Sequence, residues 1–494
     1  MSLNRRHVLC FCLCTIICNC ILLGFTFREL ILKSARQQQS LDASAWNESR
    51  LQFEFVGDYY FAVTPKDGTP SFEWPLPFNL PQRSCFEVAK SVDEPRSSRY
   101  HPRLTAISSF GENAPRAYWR WPGNITKADF ENAAAREWPG CIHCMNLVRY
   151  KVLGRKLYVV ETAPEGTHQK IAEEMLQVVL YLFPIPDMEF LLHFGDGCTN
   201  GLPVISWNLC RQFADAGFTM PSYSNWCRSL GPTQLLAFST CLKKRYPPSK
   251  RKPVVIWRGS TTDTQLGEFT KDNYLKALRI QLHMFARNYT DILDVRIMKH
   301  LNCDDFVKAQ INDTGSHIHS EHYNKYCAIL DINGNGWSDR FGELVHYNTP
   351  VLKMESNFTG YFEHLFAPDV GVVKFKSDFS DLPEKARQLI AGCKEAARGG
   401  EAGEMVHRIT KNMQATSLVL LDQVGVAEAF AYTLFVYKNL SSWEVDPSLQ
   451  GFKQVNVTCC ASAKVPEWLA AAVEEHHGRQ WTPSRTRHGL TLAN

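Results

Sequence analysis

The alternation of short apolar runs with amphipathic stretches constrains the fold of this chain more than any other feature. Apolar runs at 253–257, 292–298, 326–332, 349–355 and 370–376 are separated by segments with helical periodicity or glycine-rich turns. This alternation predicts a parallel sheet with helices on both faces. An earlier series indicates a second α/β unit. It comprises a hairpin over 147–160, a helix capped by Thr167 and a buried strand at 188–194. We therefore expect two Rossmann-type domains that face a cleft.

Length and composition fit this organisation. At about 150 residues per domain, 494 residues allow two large domains with additional segments. The 45% hydrophobic content excludes a largely disordered protein, and a net charge of +4 gives no support for nucleic-acid binding. The predicted divisions are an N-terminal domain (51–240), a second domain (245–400), C-terminal helices (401–442) and an irregular tail (443–494).

Residues 8–27 predict a membrane anchor. The segment VLCFCLCTIICNCILLGFTF is long and apolar enough to cross a bilayer once. Residues 1–7 would then be a cytoplasmic tail and 28–50 a polar stem. A cleaved signal peptide is the alternative, but its apolar core is normally shorter and is followed by small residues at the cleavage site.

Glycosylation acceptors and cysteines favour a lumenal body for the chain. Seven N-x-S/T sequons follow the predicted anchor, at Asn47, Asn124, Asn288, Asn312, Asn357, Asn439 and Asn456. Twelve of the 17 cysteines lie outside the predicted anchor and predict disulfides, whose pairing the sequence leaves open. The chain ends without an ER-retrieval signal. We therefore expect a single-pass type II protein of the Golgi membrane.

Polar residues follow several of the predicted strands, where open α/β sheets bind their ligands. Asp196 stands between two glycines, Arg258-Gly259-Ser260 follows the strand at 253–257, and a glycine loop at 333–336 leads to a helix that Ser338 would cap. Gly334 in this loop would let backbone N–H groups approach a phosphate. The positive charge of Arg340, in the first helical turn, would interact unfavourably with the helix dipole, and an anion bound at that terminus would offset this interaction. Together, these residues are suited to binding a nucleotide diphosphate.

Each of these residues also has a simpler interpretation. Asp196 could be an ordinary turn residue, and Arg340 a solvated side chain on a glycine-rich turn. The histidines of HIHSEH, at 317–322, could suggest a metal, but no matching set of ligands accompanies them. The sequence therefore predicts no metal site.

Several motifs together resemble glycosyltransferase family 90, which includes protein O-glucosyltransferases and capsule-associated proteins. The similar segments are PDMEFLLHFGD (186–196), IWRGS (256–260), and KYCAILDINGNGWSDRFGELVHYNTPVLKMES with KSDFSDL (325–382). The resemblance covers about 180–440. It implies a GT-B-like fold and an inverting, metal-independent transfer from a UDP-sugar, with no other cofactor, to a hydroxyl of a protein or glycan.

The resemblance also assigns roles to individual residues. It implies that Asp196 is the catalytic base, that Arg258 and Arg340 bind the diphosphate, and that Ser260 and Ser338 belong to the same motifs. Glu355, at a strand end, is a candidate for the ribose hydroxyls. A lumenal binding protein that has lost catalysis is the main alternative. A glycoside hydrolase would need a second well-placed carboxylate.

Overall fold

The structure is a computed structural model, and most of its describable residues lie between 147 and 456. The described ranges are 83–92, 123–135, 147–163, 166–196, 201–210, 217–263, 267–312, 315–363, 368–396 and 400–456, with residues 199 and 366 and five short strands elsewhere. The chain divides into two units, 1–53 with 62–71 and 54–61 with 72–494. The two large sheets both belong to the second unit.

The described strands and helices are numbered in chain order. The strands are β1 Gln52–Val56, β2 Tyr59–Val63, β3 Trp119–Arg120, β4 Leu147–Leu153, β5 Lys156–Val160, β6 Met188–His193, β7 Ile205–Ser206, β8 Asn208–Cys210, β9 Gly217–Thr219, β10 Lys252–Ser260, β11 Leu293–Lys299, β12 Tyr326–Asp331, β13 Val351–Met354, β14 Phe358–Gly360, β15 Val373–Phe375, β16 Phe452–Gln454, β17 Ser484–Thr486 and β18 Gly489–Thr491. The helices are α1 Cys85–Lys90, α2 Lys127–Ala134, α3 Thr167–Leu182, α4 Tyr223–Cys227, α5 Pro232–Arg245, α6 Leu278–Ala286, α7 Asp305–Gln310, α8 Phe341–Leu344, α9 Leu382–Glu395, α10 Glu401–Leu420 and α11 Gln423–Leu440.

The second half of the chain forms the predicted parallel sheet. Its five strands are ordered β11-β10-β12-β13-β15, and each neighbouring pair is parallel. Buried side chains from β10, β11, β12 and β13 form one hydrophobic core with those of α6 and α9. All six residues of β12 are buried, as expected of a central strand covered on both faces. The strand-helix alternation therefore predicted this half correctly.

The first half departs from a parallel sheet. Its seven strands are ordered β16-β5-β4-β6-β7-β9-β3, and only the neighbours β6, β7 and β9 run parallel. The predicted hairpin is present, with Gly154 (φ 54°) and Arg155 (φ 65°) in its turn. Because a hairpin joins antiparallel strands and β4 also lies antiparallel to β6, this sheet is mixed. The predicted α/β fold is confirmed, but this sheet is not the parallel sheet of a Rossmann-type domain, and a GT-B arrangement of two domains that face a cleft stays a prediction.

The end of the chain is more regular than predicted. Helices α10 and α11 occupy the region predicted to be helical, separated by a short break. The segment after 443, predicted to be irregular, contributes β16, which pairs antiparallel with β5 and so extends the first sheet. Residue 167 opens α3, but Gly166 rather than Thr167 occupies the cap position.

Disulfides are present, as the cysteine count predicts. Cys85 is bonded to Cys241, which ties α1 to α5, and Cys327 is bonded to Cys393, which ties β12 to α9. Cys303 is a buried free thiol. The CxxC pair at 141 and 144 lies outside the described residues.

The predicted membrane anchor at 8–27, with the tail and stem around it, lies outside the described residues. Within the part of the chain that is described, none of the helices has the length and apolar character needed to cross a bilayer.

The Cys327–Cys393 bond should contribute measurably to stability. It closes a loop of 66 residues, so its loss should lower the free energy of unfolding by about 4 kcal/mol through the entropy of the unfolded chain. We expect a Cys393→Ser variant to show this loss in urea denaturation. Cys303→Ser is the control, because that thiol forms no disulfide. This substitution should lower the free energy of unfolding by about 1 kcal/mol. Equal stability of the two variants would contradict the prediction.

Candidate active site

The strand order locates the candidate site. In the second sheet the chain runs outward from β10 to β11 and then returns to β12 on the other side of β10. Such a reversal between neighbouring parallel strands leaves a crevice at their carboxyl ends, where open α/β sheets bind ligands. The carboxyl ends of β10 and β12 carry the RGS residues and the glycine loop. Two of the predicted motifs therefore meet at one edge of the sheet.

The RGS residues are the last three residues of β10 and do not follow the strand as predicted. Arg258 is buried, and its Nη2 lies 2.8 Å from Oδ2 of Asp294. Its guanidinium is thus engaged by a carboxylate, and its predicted role at the diphosphate stays a prediction. Gly259 is required by packing, because a Cβ there would lie 2.4 Å from the Trp257 ring. Ser260 contributes its carbonyl oxygen, which accepts from Arg279.

Arg279 is a site residue that the sequence analysis missed. It lies on α6, and it donates from Nε to the carbonyl oxygen of Asn333 (2.8 Å) and from Nη1 to that of Ser260 (3.2 Å). Burial, and next the nearby Arg340, lower its pKa to about 9. A desolvated cation of this kind is stabilised by a bound anion. An isolated arginine inside a helix gives no sequence signal, and only the packing of α6 brings it to the loop.

A buried carboxylate organises the end of β12. Asp331 is fully buried, and its Oδ1 accepts from the Ser338 hydroxyl at 2.6 Å, whereas its Oδ2 accepts from Lys353 Nζ at 2.9 Å. Ser338 is therefore not the helix cap that was predicted. The helix α8 begins later and is only four residues long, with Arg340 at its cap position. Ser338 instead bonds the loop to Asp331, at the end of the strand β12 that precedes it.

Arg340 reaches from this loop to the neighbouring strand. Its Nη1 donates to the carbonyl oxygen of Arg258 at 2.5 Å, and its Nη2 lies 3.7 Å from Oδ1 of Asp331. Its guanidinium carbon lies 5.9 Å from the centre of the Trp257 ring, and that of Arg279 lies 5.7 Å from the same ring. Two arginines thus converge on one indole beside the glycine loop.

Several polar atoms at this edge are buried without a hydrogen-bond partner. They are Nε and Nη2 of Arg340, Nε1 of Trp257, and Oγ1 of Thr262. Buried polar groups in native proteins are normally paired, so unpaired donors gathered at one place indicate a ligand site. Most of these atoms are donors, and the side chains that surround them include two cations. A ligand rich in acceptor oxygens, such as a diphosphate, fits them.

Asp196 contacts the same glycine loop from the first sheet. It follows β6 of the first sheet, and its Oδ2 accepts from Nδ2 of Asn335 at 3.1 Å. A Cβ at Gly336 would lie 2.6 Å from the carbonyl oxygen of Asp196, whereas one at Gly334 would lie 2.9 Å from Nη2 of Arg279. One short loop therefore contacts both the half-buried Asp196 and Arg279.

Glu355 is exposed and follows β13 directly, with its backbone N–H bonded to the carbonyl oxygen of Phe375. It lies at the same edge of the sheet as the glycine loop. The neighbouring Ser356 connects the two, because its hydroxyl accepts from Nδ2 of Asn333 at 2.5 Å.

Among the residues that the structure describes, no group of three or more His, Cys, Asp or Glu side chains is placed to hold a metal ion. Glu321, within the HIHSEH segment, instead has a structural role. It accepts hydrogen bonds from the backbone N–H of Cys85, from Arg245 and from the Tyr246 hydroxyl.

Comparison with known proteins identifies the family. The family model described as glycosyl transferase family 90 matches residues 135–419, which is more than half of the chain. This chain belongs to glycosyl transferase family 90. The match includes Asp196, Arg258, Arg279 and the glycine loop, so every residue of the candidate site described above lies within the family 90 region.

Curated relatives are distant. The chain is 22% identical to protein O-glucosyltransferase 2 of Danio rerio over 276 residues, which is 53% of this chain and 51% of that protein. It is 23% identical to protein O-glucosyltransferase 3 of Rattus norvegicus over 278 residues, with the same shares of the two chains. The chain thus spans about half the length of the curated relatives it matches. The family and these names support a glycosyltransferase.

The Asp331 interactions can be tested by stability. Asp331→Asn leaves the Lys353 ammonium, which is 1% exposed, without its counter-charge. We expect a loss of about 3–5 kcal/mol in the free energy of unfolding, measured by urea denaturation. The double variant Asp331→Asn with Lys353→Met removes both charges and should recover part of that loss. A single variant as stable as the unmodified protein would show that the pair does not hold the loop.

Proposed function

We propose that this protein is an inverting glycosyltransferase that moves a sugar, glucose or xylose, from a UDP-sugar to a hydroxyl of a protein or glycan. One observation carries the proposal. One glycine loop, at the switch point of a parallel sheet, is hydrogen-bonded to the carboxylate of Asp196 and to the guanidinium group of Arg279, and Arg340 follows in the same segment. A base close to an anion site is what a displacement at an anomeric carbon requires.

The proposed step uses these groups in their observed positions. Asp196 takes the proton of the acceptor hydroxyl, whose oxygen attacks the anomeric carbon from the face opposite the diphosphate. The bond from that carbon to the diphosphate oxygen breaks, and UDP leaves with the electron pair. General-base assistance of this kind accounts for about 10²–10⁴ in rate.

The charge that develops on UDP needs a cationic partner. We assign that role to Arg340 and Arg279, with the indole N–H of Trp257 as a further donor. These arginines would stabilise the leaving group without a metal ion, by preorganised electrostatics. Ser260 and Gly334 line the same edge, and Glu355 is the candidate for the ribose hydroxyls.

A lumenal, Golgi-membrane location remains part of this proposal. The sequon asparagines in the described residues, Asn124, Asn288, Asn312, Asn357, Asn439 and Asn456, all have exposed side chains. Exposure is a condition for carrying a glycan in a folded protein. The disulfides also suit an oxidising compartment. Both observations support a body that faces the lumen.

Donor binding tests the proposal directly. We expect residues from about 45 onward, secreted from a eukaryotic host, to bind one of UDP-glucose, UDP-xylose, UDP-galactose or UDP-glucuronate in calorimetry with EDTA present. Binding in EDTA would support metal-free chemistry. A folded sample that binds neither UDP nor any UDP-sugar would overturn the proposal. Binding without transfer to any acceptor would favour the inactive binding protein.

Substitutions distinguish the proposed role of Asp196 in transfer from that of Arg340 in UDP binding. Asp196→Asn should reduce transfer by at least about 10²-fold, the usual share of a general base, with UDP affinity unchanged. Arg340→Ala should weaken UDP binding by about ten-fold or more, since it removes a charge-assisted hydrogen bond. Arg387→Ala, on the exposed face of α9, is the control for loss of a positive charge. Normal turnover by Asp196→Asn would refute the base assignment, and unchanged UDP affinity in Arg340→Ala would remove that residue from the site.

A further inference from the structure

The side chain of Asn335 joins the two halves of the candidate site. Asn335 belongs to the glycine loop after β12, in the parallel sheet, whereas Asp196 follows β6 in the mixed sheet. The two residues are 139 positions apart in the chain, yet Nδ2 of Asn335 lies 3.1 Å from Oδ2 of Asp196. An ionised carboxylate only accepts hydrogen bonds, so the amide nitrogen must be the atom that faces it.

The backbone makes this contact close and fixed. A Cβ at Gly336 would lie 2.6 Å from the carbonyl oxygen of Asp196 and 3.2 Å from Oδ1 of Asn208. No side chain fits there unless the backbone moves, so the loop lies directly on the backbone of the residue that carries the carboxylate. The position of Asn335 relative to Asp196 is therefore set by packing and does not depend on one flexible side chain.

The same loop is bonded to the anion site. Nε of Arg279 donates to the carbonyl oxygen of Asn333, and Nδ2 of Asn333 donates to the Ser356 hydroxyl. Two residues further along the loop, Asn335 donates to Asp196. The loop is thus hydrogen-bonded both to Arg279, which is proposed to bind the diphosphate, and to Asp196, which is proposed as the base.

We propose that Asn335 is the positioning residue for Asp196. This inference rests on the proposed transferase function. The amide holds the carboxylate in one orientation through the hydrogen bond that it donates to Oδ2. Oδ1 of Asn335 is buried without a partner in the described structure, which leaves it free to accept from a substrate hydroxyl beside the base.

Other charged, titratable and polar residues lie near Asp196. Arg279 on α6 interacts electrostatically with Asp196. His193 lies three residues earlier, at the end of β6, and is buried. Asn208, on β8, is buried and neutral. Removal of the Asn335 amide therefore leaves the electrostatic interaction with Arg279 in place.

Two variants, one of them isosteric, distinguish the effect of the hydrogen bond from that of packing. Asn335→Asp keeps the volume and removes the donated hydrogen bond, whereas Asn335→Ala removes both. We expect each variant to lower kcat by roughly 10- to 100-fold, a part of what a general base contributes, with the KM for the donor and the Kd for UDP changed less than about two-fold. The acid limb of the kcat/KM profile should move to higher pH in Asn335→Asp, where a like charge is added beside the carboxylate.

Asn333→Ala is the matched control. It removes the hydrogen bond that the Asn333 side chain donates to Ser356, in the same loop, and that side chain is not hydrogen-bonded to Asp196. Any effect of loosening the loop should therefore appear without a shift of the acid limb. If Asn335→Asp retains the kcat and pH profile of the unmodified protein while Asn335→Ala does not, Asn335 acts by packing and the inference is wrong.

The outcome also distinguishes this inference from the proposed function. An unmodified protein without transfer activity, or an Asp196→Asn variant with normal turnover, would refute the proposed function. An active protein that Asp196→Asn inactivates, but that both Asn335 variants leave unchanged in kcat and pH profile, would refute only the role of Asn335.

Discussion

The buried carboxylate of Asp331 is the interaction on which the rest of the site depends. It ends the central strand β12 and is fully buried, so it requires partners, because an unpaired charge in the core is strongly unfavourable. Lys353 from β13 supplies the countercharge and Ser338 closes the glycine loop onto the same group. The glycine loop is thereby bonded at Ser338 to the end of the strand from which it starts. Arg340, two residues after Ser338, is carried to the carboxyl end of β10 by this arrangement.

The site is built from both sheets, and each contributes a different chemical property. The parallel sheet supplies cations and unpaired donors at its switch point, as expected for an anion site. The mixed sheet supplies the carboxylate of Asp196, the proposed base. The glycine loop lies close to both groups, since a Cβ at Gly336 would be 2.6 Å from the carbonyl oxygen of Asp196 and one at Gly334 would be 2.9 Å from Nη2 of Arg279.

The sequence predicted which strand ends carry the candidate residues better than it predicted their contacts. Asp196, the RGS residues and the glycine loop were singled out because open α/β sheets bind ligands at the carboxyl ends of their strands. The engagement of Arg258 by Asp294 could not be predicted, because that pair joins neighbouring strands whose alignment depends on the register of β10 with β11. Arg279 was missed for a related reason. Its position depends on how α6 packs, and helical periodicity does not show which polar residue will face a loop.

The sequence by itself determined the parallel sheet, its strand ends, the presence of disulfides and the family motifs, because these are local patterns or runs of residue types that do not depend on distant contacts. The tertiary structure alone decided that the first sheet is mixed, that Ser338 bonds Asp331 and does not cap a helix, and that Asn335 reaches Asp196 across 139 residues. These features depend on the register of strands and on contacts between segments distant in the chain. Such contacts form only when the whole core is packed, and for that reason no local pattern encodes them.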